Sequence, residues 1–191
     1  ASAAEYEQAM DRAIVEAEGI LETFGALLRI AQIEAGSRRA GFRTVDLAEV
    51  TRTVVDVFEP VAEDQRHRLC AAIAPTPPIH GDRELLVQAL VNLIENALRH
   101  TPTGCTITVS AASAEGAAEL AVSDDGPGVP EGERVHILDR FYRREASRTT
   151  PGSGLGLSLV AAVAELHRAE LLVEDAGPGL RVRLRFPRDG R

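Results

Sequence analysis

The helix predicted from about Asp82 to His100 constrains the fold more than any other segment, because its two faces differ in polarity. A helical step of about 100° per residue gathers its polar side chains into one wedge. That wedge contains Gln88, Asn92, Glu95, Asn96 and Arg99, and Leu86, Leu90, Leu93, Ile94 and Ala97 lie largely opposite. The apolar face must therefore pack in a core, while the polar face must meet solvent or a ligand.

Two carboxamides in this wedge, Asn92 and Asn96, stand four residues apart and share one side of the helix. Their carbonyl oxygens suit a hard cation such as Mg²⁺, which prefers substrate phosphates and water to an all-protein cage. A solvated helix face would carry the same residues. The pair alone does not separate the two interpretations.

The remaining segments alternate between helical and strand patterns, which indicates an α+β fold with two layers. Asp46 is the predicted N-cap of a helix that runs through Phe58. Further helices are predicted after Pro130, carrying Val135 to Arg143, and from about Leu155 to His167. The predicted strands are Arg68–Ala74, Thr106–Ala111 and Glu119–Ser123, joined as a hairpin, and Leu171–Glu174 and Arg181–Phe186, joined as another.

An amphipathic helix of about thirty residues precedes this α+β region. It carries apolar residues at helical spacing from Met10 to Ala31, and Gly36 is a signal for its end. We therefore place a domain boundary near residue 40, which separates residues 1–40 from residues 41–191. We expect the apolar stripe of the first segment to find no partner inside the chain and to drive self-association.

Composition excludes several functions. None of the 21 basic residues is lysine, so no lysine can bind phosphate or form a Schiff base. The net charge of −8 argues against nucleic acid and against a membrane surface. No apolar run approaches the roughly 18 residues of a spanning helix, so we expect a soluble chain. Cys70 and Cys105 have no paired spacing and are interpreted as reduced thiols.

Two glycine-rich segments are candidates for ligand contact. Asp124 follows a predicted strand and precedes Gly126 and Gly128, so its carboxylate can accept a hydrogen bond from the exocyclic amine of a base. An ordinary Asp-Gly turn would look the same. The second segment, residues 152–157, opens a helix whose free N–H groups favour an anion. Arginines that could clamp phosphate oxygens precede it, at Arg140, Arg143, Arg144 and Arg148, although a solvated loop is the alternative.

The order and spacing of these elements closely resemble the N, G1, F and G2 boxes of sensor histidine kinases. The matching segments are Asn92-Leu-Ile-Glu-Asn96-Ala-Leu-Arg-His100, Asp124-x-Gly126-x-Gly128, Arg140-Phe-Tyr-Arg143 and Gly152-Ser-Gly154-Leu-Gly156-Leu. The resemblance covers about residues 42–187. The first helix looks like the second helix of the family's dimerisation and phosphotransfer hairpin.

The resemblance implies the Bergerat-type α/β sandwich that histidine kinases, type II topoisomerases and mismatch-repair ATPases share, with ATP and Mg²⁺ as ligands. Asn96 would bind Mg²⁺ with Asn92 nearby, Arg99 would meet phosphates, and His100 would border the adenine. Asp124 would accept the adenine amine in a pocket shaped by Gly126 and Gly128. The triphosphate lid would contain Gly152, Ser153, Gly154, Leu155 and Gly156, and Arg143 and Arg148 would reach the terminal phosphate.

Three departures from the family pattern matter for function. Asn92 stands where water-activating ATPases of the superfamily have Glu, so hydrolysis should be slow and a kinase is favoured. Leu180 replaces a usual threonine, which removes an expected polar contact to the adenine edge, and Pro151 replaces a common first glycine of the lid. None of the five histidines stands in a His-Glu/Asp-x-Arg setting.

We therefore interpret residues 41–191 as the catalytic ATP-binding domain of a two-component sensor histidine kinase and residues 1–40 as a partial dimerisation helix. The phosphoacceptor histidine is expected outside this chain, with a truncation just after it. An anti-sigma-type serine kinase and a non-catalytic nucleotide-gated scaffold are the alternatives. The expected partners are a response-regulator receiver domain and a second copy of the parent protein. The expected location is cytoplasmic, with an inner-membrane anchor left open for the parent.

Overall fold

The computed structural model of the chain describes residues 3–35, 41–143 and 153–187. Five α-helices occur in these ranges: α1 (Ala3–Glu34), α2 (Leu47–Asp64), α3 (Arg83–His100), α4 (Glu131–Arg134) and α5 (Gly156–Leu166). The seven strands are β1 (Arg43–Val45), β2 (Arg68–Ile73), β3 (Ile79–Gly81), β4 (Thr106–Ala114), β5 (Ala117–Asp124), β6 (Glu170–Asp175) and β7 (Leu180–Phe186).

Five strands form one sheet in the order β2-β4-β5-β7-β6, and β1 pairs with β3 in a separate two-stranded sheet. Only β2 and β4 run parallel within the larger sheet. Alternate residues of β4 and β7 point into a core that α2, α3 and α5 cover. The arrangement confirms the predicted α+β class with two layers.

Two aspartates begin helices that the sequence predicts. The Asp46 carboxylate accepts a hydrogen bond from the backbone N–H of Ala48 at 2.8 Å, which confirms the predicted N-cap of α2. Helix α2 continues past Phe58 and through Pro60 to Asp64, so it is longer than predicted. Asp82 caps α3 in the same way, by accepting from the N–H groups of Glu84 and Leu85.

A buried histidine ties the start of α3 to the end of α5. The backbone N–H of Asp82 donates to His167 Nε2 at 2.9 Å, and His167 Nδ1 lies 2.8 Å from the carbonyl oxygen of Val163. Burial lowers the pKa of His167 below its ordinary value, which favours the neutral ring that can accept at Nε2. The ring also stacks on Phe42, in the segment that enters the α+β region.

The predicted helix from Val135 to Arg143 is wrong. The structure has the short α4 at Glu131–Arg134, a 3-10 turn at His136–Leu138 and irregular backbone beyond it. Phe141 has a φ of 63°, and its N–H donates to the carbonyl oxygen of Gly154 at 3.1 Å. A backbone donor committed to a distant segment cannot continue a helical ladder.

Helix α1 has 32 residues, which confirms the predicted length of about thirty, and its carboxyl-terminal part packs on α5. Ile30 and Ile33 are only 1% and 2% exposed, and Glu34 forms an ion pair with Arg140. The expectation that the whole apolar stripe lacks a partner is therefore wrong at this end. Upstream, the large apolar side chains stay exposed at Tyr6, Met10, Ile14, Ile20, Leu21, Phe24 and Leu28.

The predicted domain boundary near residue 40 falls within residues 36–40, outside the described residues. In the described ranges, no helix combines the length and the apolar composition that crossing a membrane requires.

Candidate functional site

A cavity of about 520 Å³ opens between α1, α3, the start of α5 and the loop after β5. Eleven of the fourteen residues predicted for the site line it: Asn92, Asn96, Arg99, His100, Asp124, Gly128, Arg143, Ser153, Gly154, Leu155 and Gly156. Gly126 lies just outside the lining, where it packs against Thr101. Arg148 and Gly152 lie outside the described residues, as do Arg144 and Pro151.

Asp124 defines one end of the cavity, at the last residue of β5. Its Oδ1 atom accepts hydrogen bonds from the backbone N–H groups of Gly126 at 3.0 Å and Leu180 at 3.4 Å. Burial raises the pKa of Asp124 above its ordinary value, against the opposing effect of these two bonds. The carboxylate is thus held in place and partly desolvated, which suits an acceptor for a single neutral donor such as an amine.

The neighbouring carboxylate, Asp125, behaves differently. It is exposed, and its Oδ1 accepts from the backbone N–H of Thr106 at 2.7 Å. That bond is the main reason why the pKa of Asp125 lies below its ordinary value. Asp125 does not line the cavity, so only the first of the two aspartates can meet a ligand there.

Glycines allow the backbone segments around Asp124 to approach one another. A Cβ atom built on Gly179 would lie 1.8 Å from the carbonyl oxygen of Asp124, and the φ of Gly179 is 104°. Gly128, with a φ of 69°, lies against the Gly179 carbonyl oxygen, which would be 2.8 Å from a Cβ there. The backbone at this end therefore requires glycine on both sides of the contact.

Gly179 and Thr101 are the residues that sequence reasoning missed at this end. A Cβ on Gly126 would lie 2.7 Å from Thr101 Cγ2, and Thr101 lines the cavity. Gly179 lies in the connection between β6 and β7, and it meets Asp124 because β7 pairs with β5. The two residues are far apart along the chain, so the contact leaves no local signal in the sequence.

Helix α3 supplies the polar wall of the cavity. Asn92 Nδ2 donates to the backbone carbonyl of Gln88 at 2.8 Å, which leaves Oδ1 as the atom nearest to Gly156. A Cβ on Gly156 would lie 3.1 Å from that Oδ1, so a larger residue would crowd it. Asn96, one turn further along, is half-buried and also lines the cavity. Two amide oxygens on one helix face fit the hard oxygen donors that Mg²⁺ accepts.

Beside Asn92, α5 begins at Gly156 without a side-chain cap. Leu155 is 1% exposed and fixes the helix start, while the N–H groups of the first turn lack partners within the helix. Gly154 has a φ of 70° and lies against the backbone of Phe141 and Tyr142. The start of an 11-residue helix facing a cavity favours an anion there.

Arginine side chains also line the cavity. Arg99 and Arg143 are among the lining residues, as is His100 at the end of α3, whereas Arg140 pairs with Glu34 of α1. Arg29 of α1 also lines the cavity, and sequence reasoning missed it. An anionic group would meet positive charge from several elements.

Comparisons with known proteins agree with this geometry. Residues 81–190 match the family described as "Histidine kinase-, DNA gyrase B-, and HSP90-like ATPase". The chain is 34% identical over 190 residues to the sensor protein IrlS of Burkholderia pseudomallei, covering 97% of this chain and 40% of IrlS. The chain therefore spans less than half of the length of this curated relative.

Solved structures give the same result. A mycobacterial sensor histidine kinase, MprB, is 30% identical, with a TM-score of 0.68 over 76% of this chain and 97% of that one. The ATP binding domain of PrrB from Mycobacterium tuberculosis is 31% identical, with a TM-score of 0.60 over 77% of this chain and 97% of that one.

Proposed function

This chain belongs to the histidine kinase-, DNA gyrase B- and HSP90-like ATPase family and contains the catalytic ATP-binding domain of a sensor histidine kinase, and we propose that it positions Mg·ATP for transfer of the γ-phosphoryl group to a histidine. The observation that carries the proposal is the polarity of the cavity. Asp124 lies beside Gly126 and Thr101, where α3 ends, whereas Asn92, in the middle of α3, lies against Gly156 at the start of α5. Asn96 lines the cavity one turn from Asn92. A nucleotide has the same polarity, with an amine at one end and phosphates at the other.

At the base end, the Asp124 carboxylate would accept a hydrogen bond from the exocyclic amine of adenine. Leu180, which replaces the family's usual threonine, offers a buried aliphatic side chain and uses its N–H for Asp124. Recognition of the amine therefore depends on Asp124. We expect His100 to border the base from the end of α3.

At the phosphate end, the donor set fits Mg²⁺, and Asn96 would hold it, with Asn92 beside it. The bound cation would offset the charge of the phosphates. Arg99, Arg143 and the N–H groups at the start of α5 would hold phosphate oxygens. We extend this role to Arg148 and Gly152 by resemblance alone.

We expect water to be a poor nucleophile in this site. The Asn92 carboxamide stands where a general base would act on water, and an amide cannot take up that proton. Phosphoryl transfer here would depend on positioning and electrostatics, with an acceptor supplied from another segment. The five histidines of this sequence lack the His-Glu/Asp-x-Arg setting of the family's acceptor.

The first experiment measures Mg·ATP binding to the full chain by calorimetry. Asp124→Ala should weaken binding by about 1–3 kcal/mol or more, because the adenine amine would be buried without an acceptor. Asp125→Ala is the matched control and should bind like the parent chain. If Asp124→Ala, like Asp125→Ala, bound Mg·ATP with the affinity of the parent chain, Asp124 would not be part of the base site.

A second experiment supplies γ-labelled ATP and a separate helical hairpin that carries an acceptor histidine. We expect acid-labile, base-stable label on the hairpin and none on this chain. Tight ATP binding without label on any histidine would favour the nucleotide-gated scaffold instead. Strong label on this chain would contradict an external acceptor.

We further propose the partners that such a kinase requires. A response-regulator receiver domain would take the phosphoryl group, and a second copy of the whole protein would pair through its dimerisation helices. The exposed apolar side chains of α1 upstream of Ala26 support the second proposal. We propose a cytoplasmic location for this region.

A further inference from the structure

We propose, resting on the function proposed above, that α1 contributes to nucleotide binding as one wall of the cavity and that Arg29 on this helix binds the phosphates of ATP. Nucleotide affinity would then depend on whether α1 is docked. The cavity lining from α1 consists of Leu21, Gly25, Ala26 and Arg29. Their spacing places them on one side of the helix.

The docking of α1 is an extensive contact. Ile30 and Ile33 are buried among the core residues, and Ala26 and Leu27 pack against them. Glu34 adds an ion pair with Arg140, which precedes the irregular segment beside Gly154. These contacts are made by the same turns that carry Arg29, so the position of Arg29 relative to the cavity is set by a packed helix.

Arg29 has the chemistry of an anion ligand. Its side chain is exposed at the cavity, and across the part of the chain that the structure describes it has no carboxylate within ion-pair distance. The chain has no lysine that could supply phosphate contacts. A guanidinium group can donate two parallel hydrogen bonds to phosphate oxygens. An arginine held at a cavity without a carboxylate partner is placed to do so.

Gly25 leaves open space where α1 borders the cavity. A Cβ built on Gly25 would meet no atom within 4 Å, and no unusual backbone angle requires glycine there. Glycine inside a helix is less favourable than alanine, because it loses more backbone freedom on folding. Its effect at this position is open space beside a residue that lines the cavity.

The coupling must act in both directions. If docked α1 adds a phosphate contact, a bound nucleotide stabilises docking by the same factor. Movement of α1 away from α5 would weaken ATP binding without any change in Asp124 or Asn96. Bound nucleotide would therefore favour docked α1, and docked α1 would favour bound nucleotide.

The test compares Arg29→Ala with Arg52→Ala, a matched control that removes an exposed arginine of α2 outside the cavity. Both full-length variants are titrated with Mg·ATP and with adenosine. Arg29→Ala should bind ATP about tenfold more weakly and adenosine unchanged, because a charged hydrogen bond to phosphate is lost. Arg29→Lys should recover part of the loss. Hydrogen exchange without nucleotide should be unchanged in residues 21–33, which separates lost contact from undocking.

Unchanged ATP affinity in Arg29→Ala, or equal losses for ATP and adenosine, would overturn the proposal. Gly25→Leu gives an independent test, because its side chain would enter the cavity and weaken ATP binding, whereas Gly25→Ala should not. Parent-like ATP affinity in Gly25→Leu would place the nucleotide away from α1 and overturn the proposal as well. Failure of the unmodified chain to bind ATP would instead contradict the proposed function itself.

Discussion

The two ends of the cavity are built by different means. Around Asp124, the backbone segments of β5, its following loop and the turn before β7 lie in direct contact, and glycine makes the contact possible. Around Asn92 and Asn96, the functional groups are side chains on the surface of α3 and backbone N–H groups at the start of α5. One end depends on close backbone packing and the other on individual groups.

This difference predicts how each end responds to mutation. A substitution in closely packed backbone displaces the groups around it, because a close-packed interior has no free space for an added atom. A side chain on a preformed helix can be removed with little effect on its neighbours. Changes at the base end should therefore affect folding and binding together, whereas changes at the phosphate end should affect particular ligands.

The largest expected effect is that of Gly179→Ala. Its Cβ would lie 1.8 Å from the Asp124 carbonyl oxygen, at a φ of 104°, so the turn must move. We expect a loss of about 3–5 kcal/mol in unfolding free energy and loss of ATP binding. Chemical denaturation and calorimetry measure both.

Gly104→Ala is the control, because Gly104 has a similar φ of 94° but no atom within 4 Å of its Cβ position. It should show only the backbone cost, about 1–2 kcal/mol. Equal destabilisation of the two variants would mean that the contact with Asp124 adds nothing to the backbone cost.

A smaller and more selective effect is expected at the phosphate end, from Asn96→Ala. Since Asn96 would act through the cation, Mg·ATP affinity should fall about tenfold, the value of one good hydrogen bond or ligand, while metal-free adenosine binds unchanged. The melting temperature of the ligand-free variant should change little, because Asn96 is half-buried on a helix surface. Parallel losses for both ligands would assign Asn96 to the base end instead.

Local signals explain what could be predicted from the sequence. Helix α3 follows from its apolar periodicity and from Asp82, whose capping bonds reach only three residues along the chain. The β4–β5 hairpin follows from alternation and a short turn. Asn92, Asn96 and Asp124 were identified because each stands inside a motif of fixed spacing.

The features that were missed depend on contacts between distant segments. Strands β1 and β3 have three residues each, too few for a periodic pattern. The helical pattern after Val135 was overridden because the Phe141 N–H pairs with Gly154. Arg29 reaches the cavity only because Ile30 and Ile33 dock α1 on the core, which no pattern within α1 indicates.

The smallest expected effect is a difference in pH dependence between the adjacent aspartates. Burial raises the pKa of Asp124, so the folded chain holds this proton more tightly than the unfolded chain. The stability that Asp124 contributes is therefore present below the ordinary carboxyl pKa, about 3.9, and is lost as the pH rises through the raised value. At neutral pH, Asp124→Asn should be more stable than the parent chain although it binds ATP more weakly.

Asp125→Asn provides the opposite sign. Its hydrogen bond from Thr106 lowers the pKa, so the ionised carboxylate stabilises the fold above its ordinary pKa and loses this effect as the pH falls through the lowered value. Melting temperatures of the three chains between neutral and acidic pH measure both differences. The advantage of Asp124→Asn should shrink toward low pH, as should the deficit of Asp125→Asn. Differences that stay constant with pH would show that ionisation of these carboxylates is not their cause. In that case, burial of the Asp124 carboxylate would not lower the stability of the ligand-free chain. The two ends of the cavity would then differ only in how closely their backbone segments pack.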